Sequence, residues 1–245
     1  MYCRRVKLLS KEKIAERYLR IGFDCGEIAT EARPGQFLMV RLLSPSWEHL
    51  LSRPFSFYMV EGSRIELFFK VVGKGTRILS QAEQGAVLEI LGPLGNGFNI
   101  ETASRPIIVG GGMGAAPLPF LASEMAKRGR IAQTTVLLGD RTASALCLKE
   151  TFTRLGVAVH VATDDGTEGH RGPVTALEGR PQLAQVGTSG LLGLDARQEP
   201  REEGQIPCGS LQAVDDVADT RSEREREEGG EKEAGQEDEK AQAIA

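Results

Sequence analysis

An arginine, a proline and a serine interrupt the apolar stretch LLSRPFSFYMV, residues 50–60. Arg53 carries a guanidinium whose fork of donors matches a phosphate, and Pro54 costs no ladder hydrogen bond on an edge strand. Because side chains alternate along a strand, Arg53 and Ser56 reach one ligand only if the chain bends or bulges at Pro54. The stretch predicts a phosphate contact through Arg53; the alternative is a surface arginine before an edge strand.

A second candidate phosphate contact lies in VVGKGTRILS, residues 71–80. Gly73 and Gly75 let backbone N–H groups approach an anion, and Thr76 opens a short helical pattern whose first turn carries partial positive charge. Because G-x-G turns are common, this pattern is a weak signal by itself and becomes more specific only together with Arg53. Together the two stretches predict a diphosphate cradle on one small domain.

Four glycines end a buried apolar strand and open a helix in IIVGGGMGAAPL, residues 107–118. Glycines at such a turn admit a pyrophosphate to the backbone amides at a helix N-terminus. The alternative is close packing of the helix on the strand. We interpret the turn as a nucleotide site that uses Gly110, Gly111, Gly112 and Gly114.

Two kinds of element must position these residues. Six short strand-like runs with turn-forming residues between them predict a six-stranded antiparallel barrel over 1–98. Over 99–186 the pattern changes to strand, helix, strand, which predicts a parallel sheet with crossover helices, although an incomplete one. The expected fold class is therefore a β barrel followed by an α/β domain.

Composition limits the classes of function. The chain has 245 residues, 40% of them hydrophobic, and a formal net charge of -4, so neither a nucleic-acid nor a membrane partner is expected. We predict a cytoplasmic protein without a signal peptide. No aromatic residue follows Phe152, and residues 215–240 hold 12 acidic against 5 basic side chains. We therefore expect a disordered acidic tail over 187–245.

The order RPFS, GKGT and LGPLGNGF resembles the FAD-binding barrel of the ferredoxin-NADP reductase superfamily, and within it the electron transfer subunits of dihydroorotate dehydrogenase B. The similarity extends over about residues 3–177. It implies an NAD-dependent flavoprotein oxidoreductase that passes electrons between a partner subunit and NAD through FAD, in pyrimidine biosynthesis. The implied partner is the FMN-containing dihydroorotate dehydrogenase catalytic subunit, in a heterotetramer.

The same resemblance implies roles for individual residues. Arg53, with Gly75 and Thr76, would hold the FAD diphosphate; Ser56 would lie at the flavin edge that exchanges hydride, and Phe55 against the ring. The glycine turn and the residues after it match the G-G-G-x-G-x-A-P motif at the nicotinamide site. The matching residues after the turn are Ala115, Ala116 and Pro117. No protein residue is expected to act as a catalytic acid or base, because the cofactors perform the chemistry.

Two acidic stretches follow later strands of the α/β pattern. Asp140 ends the strand where the adenosine ribose would lie, and its carboxylate favours NAD over NADP, a preference that Arg141 weakens. Asp164 and Asp165 either contact a nucleotide or form an Asx turn, and both alternatives stay open. We interpret His170 as a surface histidine.

The sequence departs from the family pattern at its C-terminal end. The relatives continue with four clustered cysteines for a [2Fe-2S] cluster, whereas Cys3, Cys25, Cys147 and Cys208 lie far apart here. We predict no metal site in this chain. The open alternatives are a stand-alone NAD(P)H-flavin reductase, the reductase subunit of a hydrogenase or sulfide complex, and a non-catalytic truncated remnant.

Overall fold

The computed structural model describes residues 1–43, 51–100 and 105–177, and the backbone of 191–192. These residues belong to one compact unit that spans Met1–Asp195. The expected tail over 187–245 otherwise lies outside the described residues. Within the described part of the chain, no helix is both long and apolar enough to cross a bilayer.

The N-terminal part consists of eight antiparallel strands and two short helices. In chain order the elements are β1 (Tyr2–Lys7), β2 (Ser10–Ala15), β3 (Tyr18–Asp24), α1 (Gly26–Glu31), β4 (Phe37–Leu42), β5 (Arg53–Ser56), β6 (Met59–Glu61), β7 (Arg64–Lys70), α2 (Lys74–Gln81) and β8 (Val87–Leu94). One sheet has the order β1-β8-β4-β5 and the other the order β2-β3-β7-β6. The antiparallel fold class is confirmed.

The described barrel has eight strands, where the sequence predicted six. The sequence of β2, SKEKIA, carries mostly exposed charged side chains because β2 is the edge strand of its sheet, so it lacks the apolar alternation of a strand with one buried face. The run 54–60, expected as one strand, divides into β5 and β6, which belong to different sheets. Phe57 and Tyr58 connect the two and are both buried.

The second part is a parallel α/β sheet. Its elements are β9 (Ile107–Gly111), α3 (Leu118–Lys127), β10 (Thr135–Asp140), α4 (Lys149–Arg154), β11 (Ala158–Thr163), β12 (His170–Arg171) and β13 (Leu191–Leu192). The strand order is β12-β11-β10-β9-β13, and all the neighbours pair in parallel. The parallel sheet is confirmed, and β13 extends it past residue 186, where we expected the domain to end.

Helix α4 begins later than the sequence pattern suggested. The helical spacing over 143–156 continues only from Lys149, after a 3-10 turn over Ala143–Ala145. The Ala143 amide donates to the Thr167 hydroxyl oxygen at 2.9 Å, and such side-chain acceptors compete with helix formation. Cys147 therefore lies in the irregular segment before α4.

The cores of the two parts interlock. Phe120 of α3 is 2% exposed and belongs to the barrel core, with its ring centre 6.3 Å from that of Phe57. Conversely, Tyr58 and Phe68 of the barrel part belong to the core around β9 and β10. The Tyr58 hydroxyl also lies 3.0 Å from Thr151 Oγ1 on α4. The barrel and the α/β sheet therefore share buried apolar surface.

Candidate cofactor-binding site

The structure brings the two predicted phosphate-binding stretches together. A Cβ atom built on Gly75 would lie 3.1 Å from Nε of Arg53 and 3.5 Å from its Cγ, so the arginine passes directly over the glycine. Arg53 is exposed at the start of β5, the edge strand of its sheet. Its Nη1 donates to the carbonyls of Leu51 and Ser52 at 3.1 and 3.3 Å. A guanidinium therefore lies over the start of α2.

The first turn of α2 has the geometry of an anion site. The N-cap Gly73 has extended backbone angles, and the first intrahelical bond runs from Arg77 N–H to the Gly73 carbonyl at 2.9 Å. The first turn therefore carries the partial positive charge of a helix N-terminus. Thr76 Oγ1 accepts from the amides of Val72 and Gly73 at 3.0 and 3.1 Å. Thr76 Oγ1 also donates to the Gly73 carbonyl at 3.1 Å, so the threonine hydroxyl fixes the loop before α2.

The other predicted flavin residues face different ways along β5. Phe55 is 9% exposed and packs edge-on against Phe69 inside the barrel, with ring centres 5.4 Å apart. Ser56 is half-buried and pairs with Phe37, while Pro54 is exposed. The orientation of Phe55 leaves only a small edge for contact with a flavin. The contacts proposed for Phe55 and Ser56 remain predictions.

Sequence reasoning missed a residue that holds the approach to α2. Arg17, in the turn between β2 and β3, donates from Nε and Nη2 to the Val71 carbonyl at 3.0 and 2.8 Å. The Val71 amide donates back to the Arg17 carbonyl at 2.8 Å. The sequence around Arg17 shows only an arginine in a turn. Its role could not be predicted, because the guanidinium binds a backbone carbonyl 54 residues away.

The glycines of the second motif differ in what the fold requires of them. A Cβ on Gly110 would lie 2.5 Å from Leu118 Cδ1, so this glycine serves close helix packing. Gly112 has φ +50, in the left-handed region that favours glycine. Among the residues that the structure describes, a Cβ on Gly111 would meet only Val174 at 3.9 Å, and one on Gly114 would meet nothing within 4 Å. Gly111 and Gly114 therefore have open space beside them that a ligand can occupy.

A small groove of about 20 Å³ between the barrel and the α/β sheet joins the predicted nucleotide residues. Gly112, Ala115 and Asp140 contribute to its walls. Its other wall residues are Tyr18, Phe68, Leu138, Gly139, Ala145, Leu146, Cys147 and Leu148. Ala116 and Pro117 are buried at the start of α3, which gives them packing roles and no open face. The groove is thus mostly apolar, with the Asp140 carboxylate at one side. Tyr18 and Phe68 also form its wall, and no local sequence motif predicted their position there.

Charge around the groove is set by a few side chains. Asp140 Oδ1 accepts from the Arg141 amide at 2.7 Å, which orients the carboxylate. Partial burial, and then the Asp140 carboxylate, raise the pKa of the Cys147 thiol, so the neutral thiol predominates at neutral pH. Lys70 Nζ lies 5.2 Å from the centre of the Tyr18 ring, a cation–π contact at the groove.

The TDDG stretch forms an Asx turn. The Thr167 hydroxyl and amide donate to Asp165 Oδ1 at 2.7 and 3.0 Å, and these bonds hold the pKa of Asp165 below its usual range. The amides of Asp164 and Asp165 donate to the carbonyls of Asp140 and Arg141. Of the two alternatives, the local bonds favour the turn. His170 lies in β12 and is half-buried, so it is less exposed than we expected.

A larger cavity lies elsewhere on the seam between the two parts. It measures about 310 Å³ and is lined by Arg20, Tyr58, Met59, Glu61, Arg64, Glu66, Thr151, Arg154 and Leu155. Arg20 pairs with Glu12 and lies 3.8 Å from Glu66, and Arg64 lies 3.9 Å from Asp24. Because two of its three arginines, Arg20 and Arg64, already face carboxylates, this cavity offers less to a phosphate than the Arg53 site does.

The described cysteines do not form an iron-sulfur site. Cys3 is exposed in β1, Cys25 is buried just before α1, and Cys147 is half-buried before α4. Among residues 1–43, 51–100 and 105–177, no three His, Cys, Asp or Glu side chains come together as metal ligands. Cys208 lies outside the described residues. The described part of the chain therefore does not fit a [2Fe-2S] cluster, and its absence from the whole chain stays a prediction.

Comparisons with solved structures support the fold. The NADH-dependent reduced ferredoxin-NADP oxidoreductase, solved in a study of flavin-based electron bifurcation, matches with TM-score 0.63 and 31% identity over 74% of this chain and 63% of that one. A ferredoxin NADP+ reductase from Neisseria gonorrhoeae with bound FAD and NADP matches with TM-score 0.63 at 14% identity, over 75% of this chain and 78% of that one. The second match speaks for the fold alone.

Comparisons with curated proteins identify the family, although no family model matches the chain. The electron transfer subunit of dihydroorotate dehydrogenase B (NAD+) from Bacillus caldolyticus is 39% identical over 177 residues, 70% of this chain and 67% of the relative. The same subunit from Desulforamulus reducens is 40% identical over 174 residues, 70% of this chain and 65% of the relative. The chain thus spans about two thirds of the length of these relatives. On this similarity, the chain belongs to the family of electron transfer subunits of dihydroorotate dehydrogenase B (NAD+).

Proposed function

We propose that this chain is a flavoprotein electron transfer subunit that binds FAD on its barrel and NAD(H) at its α/β sheet. The observation that carries the proposal is the position of Arg53 over Gly75 at the start of α2. A guanidinium beside the N-terminal turn of a helix offers both charge and directed donors to a diphosphate. No single sequence motif required these two stretches to meet.

The proposed partner follows from the names of the relatives. They are electron transfer subunits of dihydroorotate dehydrogenase B (NAD+), so we infer a dihydroorotate dehydrogenase catalytic subunit as partner. We further propose that this partner carries FMN, that the two chains form a heterotetramer, and that the complex acts in pyrimidine biosynthesis in the cytoplasm. Electrons would pass from dihydroorotate through the partner to this chain and on to NAD+.

The proposed NAD(H) site uses the glycine turn and the groove. Gly111 and Gly114 have open space where a pyrophosphate could approach the backbone, and Asp140 is oriented by the Arg141 amide. A carboxylate at the end of this strand can accept hydrogen bonds from both ribose hydroxyls, and it repels a 2′-phosphate. We therefore propose a preference for NAD over NADP.

The residues bind and orient, and the cofactors supply the redox chemistry. Bound FAD would exchange a hydride with the nicotinamide and single electrons with the partner. Arg53 and the α2 amides would hold the diphosphate, and the shared core would keep the barrel and the glycine turn in fixed relation. No described cysteine set fits an iron-sulfur cluster, so no step is assigned to one here.

A flavin titration of the purified chain tests the proposal. Replacing Arg53 by Gln removes the charge and most of the donors, and we expect FAD binding to weaken by about 1.5–3 kcal/mol, about ten- to a hundredfold in Kd. The matched control is Arg5→Gln, an exposed arginine on β1 that should leave the Kd unchanged. Equal FAD affinity of the wild-type and Arg53→Gln chains would show that the diphosphate site is misassigned.

Electron donors and acceptors distinguish the alternatives. With FAD bound, NADH should reduce ferricyanide through the chain faster than NADPH does, and a chain that turns over neither fits the truncated remnant. The 31% identity to a ferredoxin-NADP oxidoreductase chain supports a second candidate, a reductase that serves a ferredoxin-type partner. Reduction of the bound flavin by dihydroorotate plus the catalytic subunit, but not by reduced ferredoxin, supports the first proposal over the second.

A further inference from the structure

Arg17 makes an unusual contact for an exposed turn residue. Two nitrogens of its guanidinium donate to one acceptor, the Val71 carbonyl, at 3.0 and 2.8 Å, and the Val71 amide returns a bond to the Arg17 carbonyl at 2.8 Å. The β3–β7 ladder ends at the pair Tyr18 and Lys70, which are the chain neighbours of Arg17 and Val71. The side chain of Arg17 therefore continues the pairing after the regular ladder has stopped.

The segment that Arg17 holds leads directly into the diphosphate site. Only Val72 and Gly73 separate Val71 from the first residue of α2, and Val72 is 61% exposed, so its own side chain anchors little. The Val72 and Gly73 amides are bound by Thr76 Oγ1 from the helix side. The loop is thus fastened at one end by Thr76 and at the other by Arg17.

We propose that Arg17 is a positioning residue for the FAD diphosphate: it holds residues 71–73 so that the α2 amides and Gly75 meet the phosphates under Arg53. The inference rests on the proposed FAD site. A charged donor strengthens a hydrogen bond to a carbonyl, and an ordered loop lowers the entropy cost of binding. Arg17 acts through Val71 and is not assigned any contact with the cofactor.

Three variants of the full chain test this role. Arg17→Met keeps most of the side-chain length without its donors, Arg17→Lys keeps the charge and one donor group, and Arg5→Met is the control on β1. We expect Arg17→Met to weaken FAD binding about tenfold, Arg17→Lys to recover most of that loss, and Arg5→Met to stay within about twofold of wild type. FAD affinity is measured by quenching of flavin fluorescence.

Amide hydrogen exchange of the FAD-free chains separates positioning from general stability. In Arg17→Met, the amides of Val72 and Gly73 should exchange faster, while the amide of Leu67 in the middle of β7 should exchange as in wild type. Equal FAD affinity of wild type and Arg17→Met, or faster exchange at Leu67 as well, would overturn this inference. A wild-type chain that fails to bind FAD would overturn the proposed function together with it.

Discussion

Gly110 and Gly114 lie in the same glycine-rich turn but differ in the space around them. A methyl group on Gly110 would collide with Leu118 and Ala115, whereas a methyl group on Gly114 would enter open space. We therefore expect Gly110→Ala to destabilise the fold and Gly114→Ala to leave the thermal unfolding temperature almost unchanged. Thermal denaturation followed by circular dichroism measures this difference.

For NADH binding, in contrast to folding, we expect the substitution of Gly114 to matter. If NADH approaches the turn, Gly114→Ala should raise the KM for NADH in ferricyanide reduction although the fold is intact. FAD affinity should not change, because the proposed FAD contacts lie on the barrel. An unchanged KM for NADH in Gly114→Ala would remove Gly114 from the nucleotide site.

Cys147 reports on the same groove through its reactivity. Partial burial, followed by Asp140, raises its pKa, and only the thiolate is nucleophilic. Alkylation by iodoacetamide should therefore increase at a pH above the range of an ordinary thiol, whose pKa is about 8.5. Asp140→Asn removes one cause of the upward shift, so it should lower the pKa and speed alkylation at fixed pH.

Mass spectrometry of the labelled peptides gives the rate at Cys147. Asp164→Asn is the matched control, since Asp164 is exposed and is not among the groups that shift the thiol. NAD+ should slow the labelling of Cys147 if it occupies the groove. Equal rates for the wild-type chain and Asp140→Asn would mean that the carboxylate does not influence the thiol in solution.

At the scale of elements, one hydrogen bond connects the barrel to α4. The Tyr58 hydroxyl is 3.0 Å from Thr151 Oγ1, and Tyr58 is only 3% exposed. Tyr58→Phe should lower the free energy of unfolding by about 1 kcal/mol, and so should Thr151→Val. In the double variant the two losses should not add, with a coupling energy of about 0.5–1.5 kcal/mol.

Urea denaturation of the four proteins completes this cycle. A second cycle, which pairs Tyr18→Phe with Thr151→Val, serves as the control, because the Tyr18 ring stacks on Phe68 and makes no hydrogen bond to Thr151 among those described. That control cycle should be additive. Additive losses in the Tyr58 cycle would mean that the hydroxyl pair does not contribute to the seam.

The elements that the sequence predicted are those with a strong local signal. Strands such as β7 and β9 carry apolar runs, and the glycine turn after β9 follows from its residue types alone. Edge strand β2 was missed because its side chains face water, and the start of α4 shifted because Thr167 competes for the Ala143 amide. A local sequence pattern does not show which distant residues a segment will contact in the fold.

The same limit applies to the candidate site. Arg53 and the α2 glycines were predicted from their types, but their contact depends on how β5 and the start of α2 meet in the folded barrel. Tyr18, Phe68 and Arg17 could not be found, because two form the wall of a groove between distant elements and the third binds a backbone carbonyl. The residue types that make Arg53 and Gly75 candidates for a phosphate site can be read from the sequence, whereas their contact in the fold cannot.

For the molecule as a whole, the shared core predicts one unfolding transition. Phe120 of α3 is buried in the barrel core, so Phe120→Ala should cost about 3–5 kcal/mol and weaken both parts together. Amide protection in β3 and in β10 should disappear at the same, lower urea concentration. If residues 1–98 and 99–186 unfold independently, protection in β3 will keep its wild-type midpoint.

Phe152→Ala provides the comparison for this experiment. Phe152 is fully buried in the core of the α/β part and does not belong to the barrel core. Its loss should create a cavity of similar size on one side of the seam only. A cooperative molecule responds with a common midpoint in both variants, because either cavity lowers the stability of the single folded state.

The place of Phe120 also imposes an order of events while the protein is being made. Chains leave the ribosome from the N-terminus, so every barrel strand is synthesised before the side chain that completes the barrel interior. The roughly 20 residues from Phe98 to Phe120 take about one to four seconds at about 5–20 residues per second. During that interval the nascent barrel has its strands, but the ring of Phe57 lacks the Phe120 ring that packs against it in the folded chain.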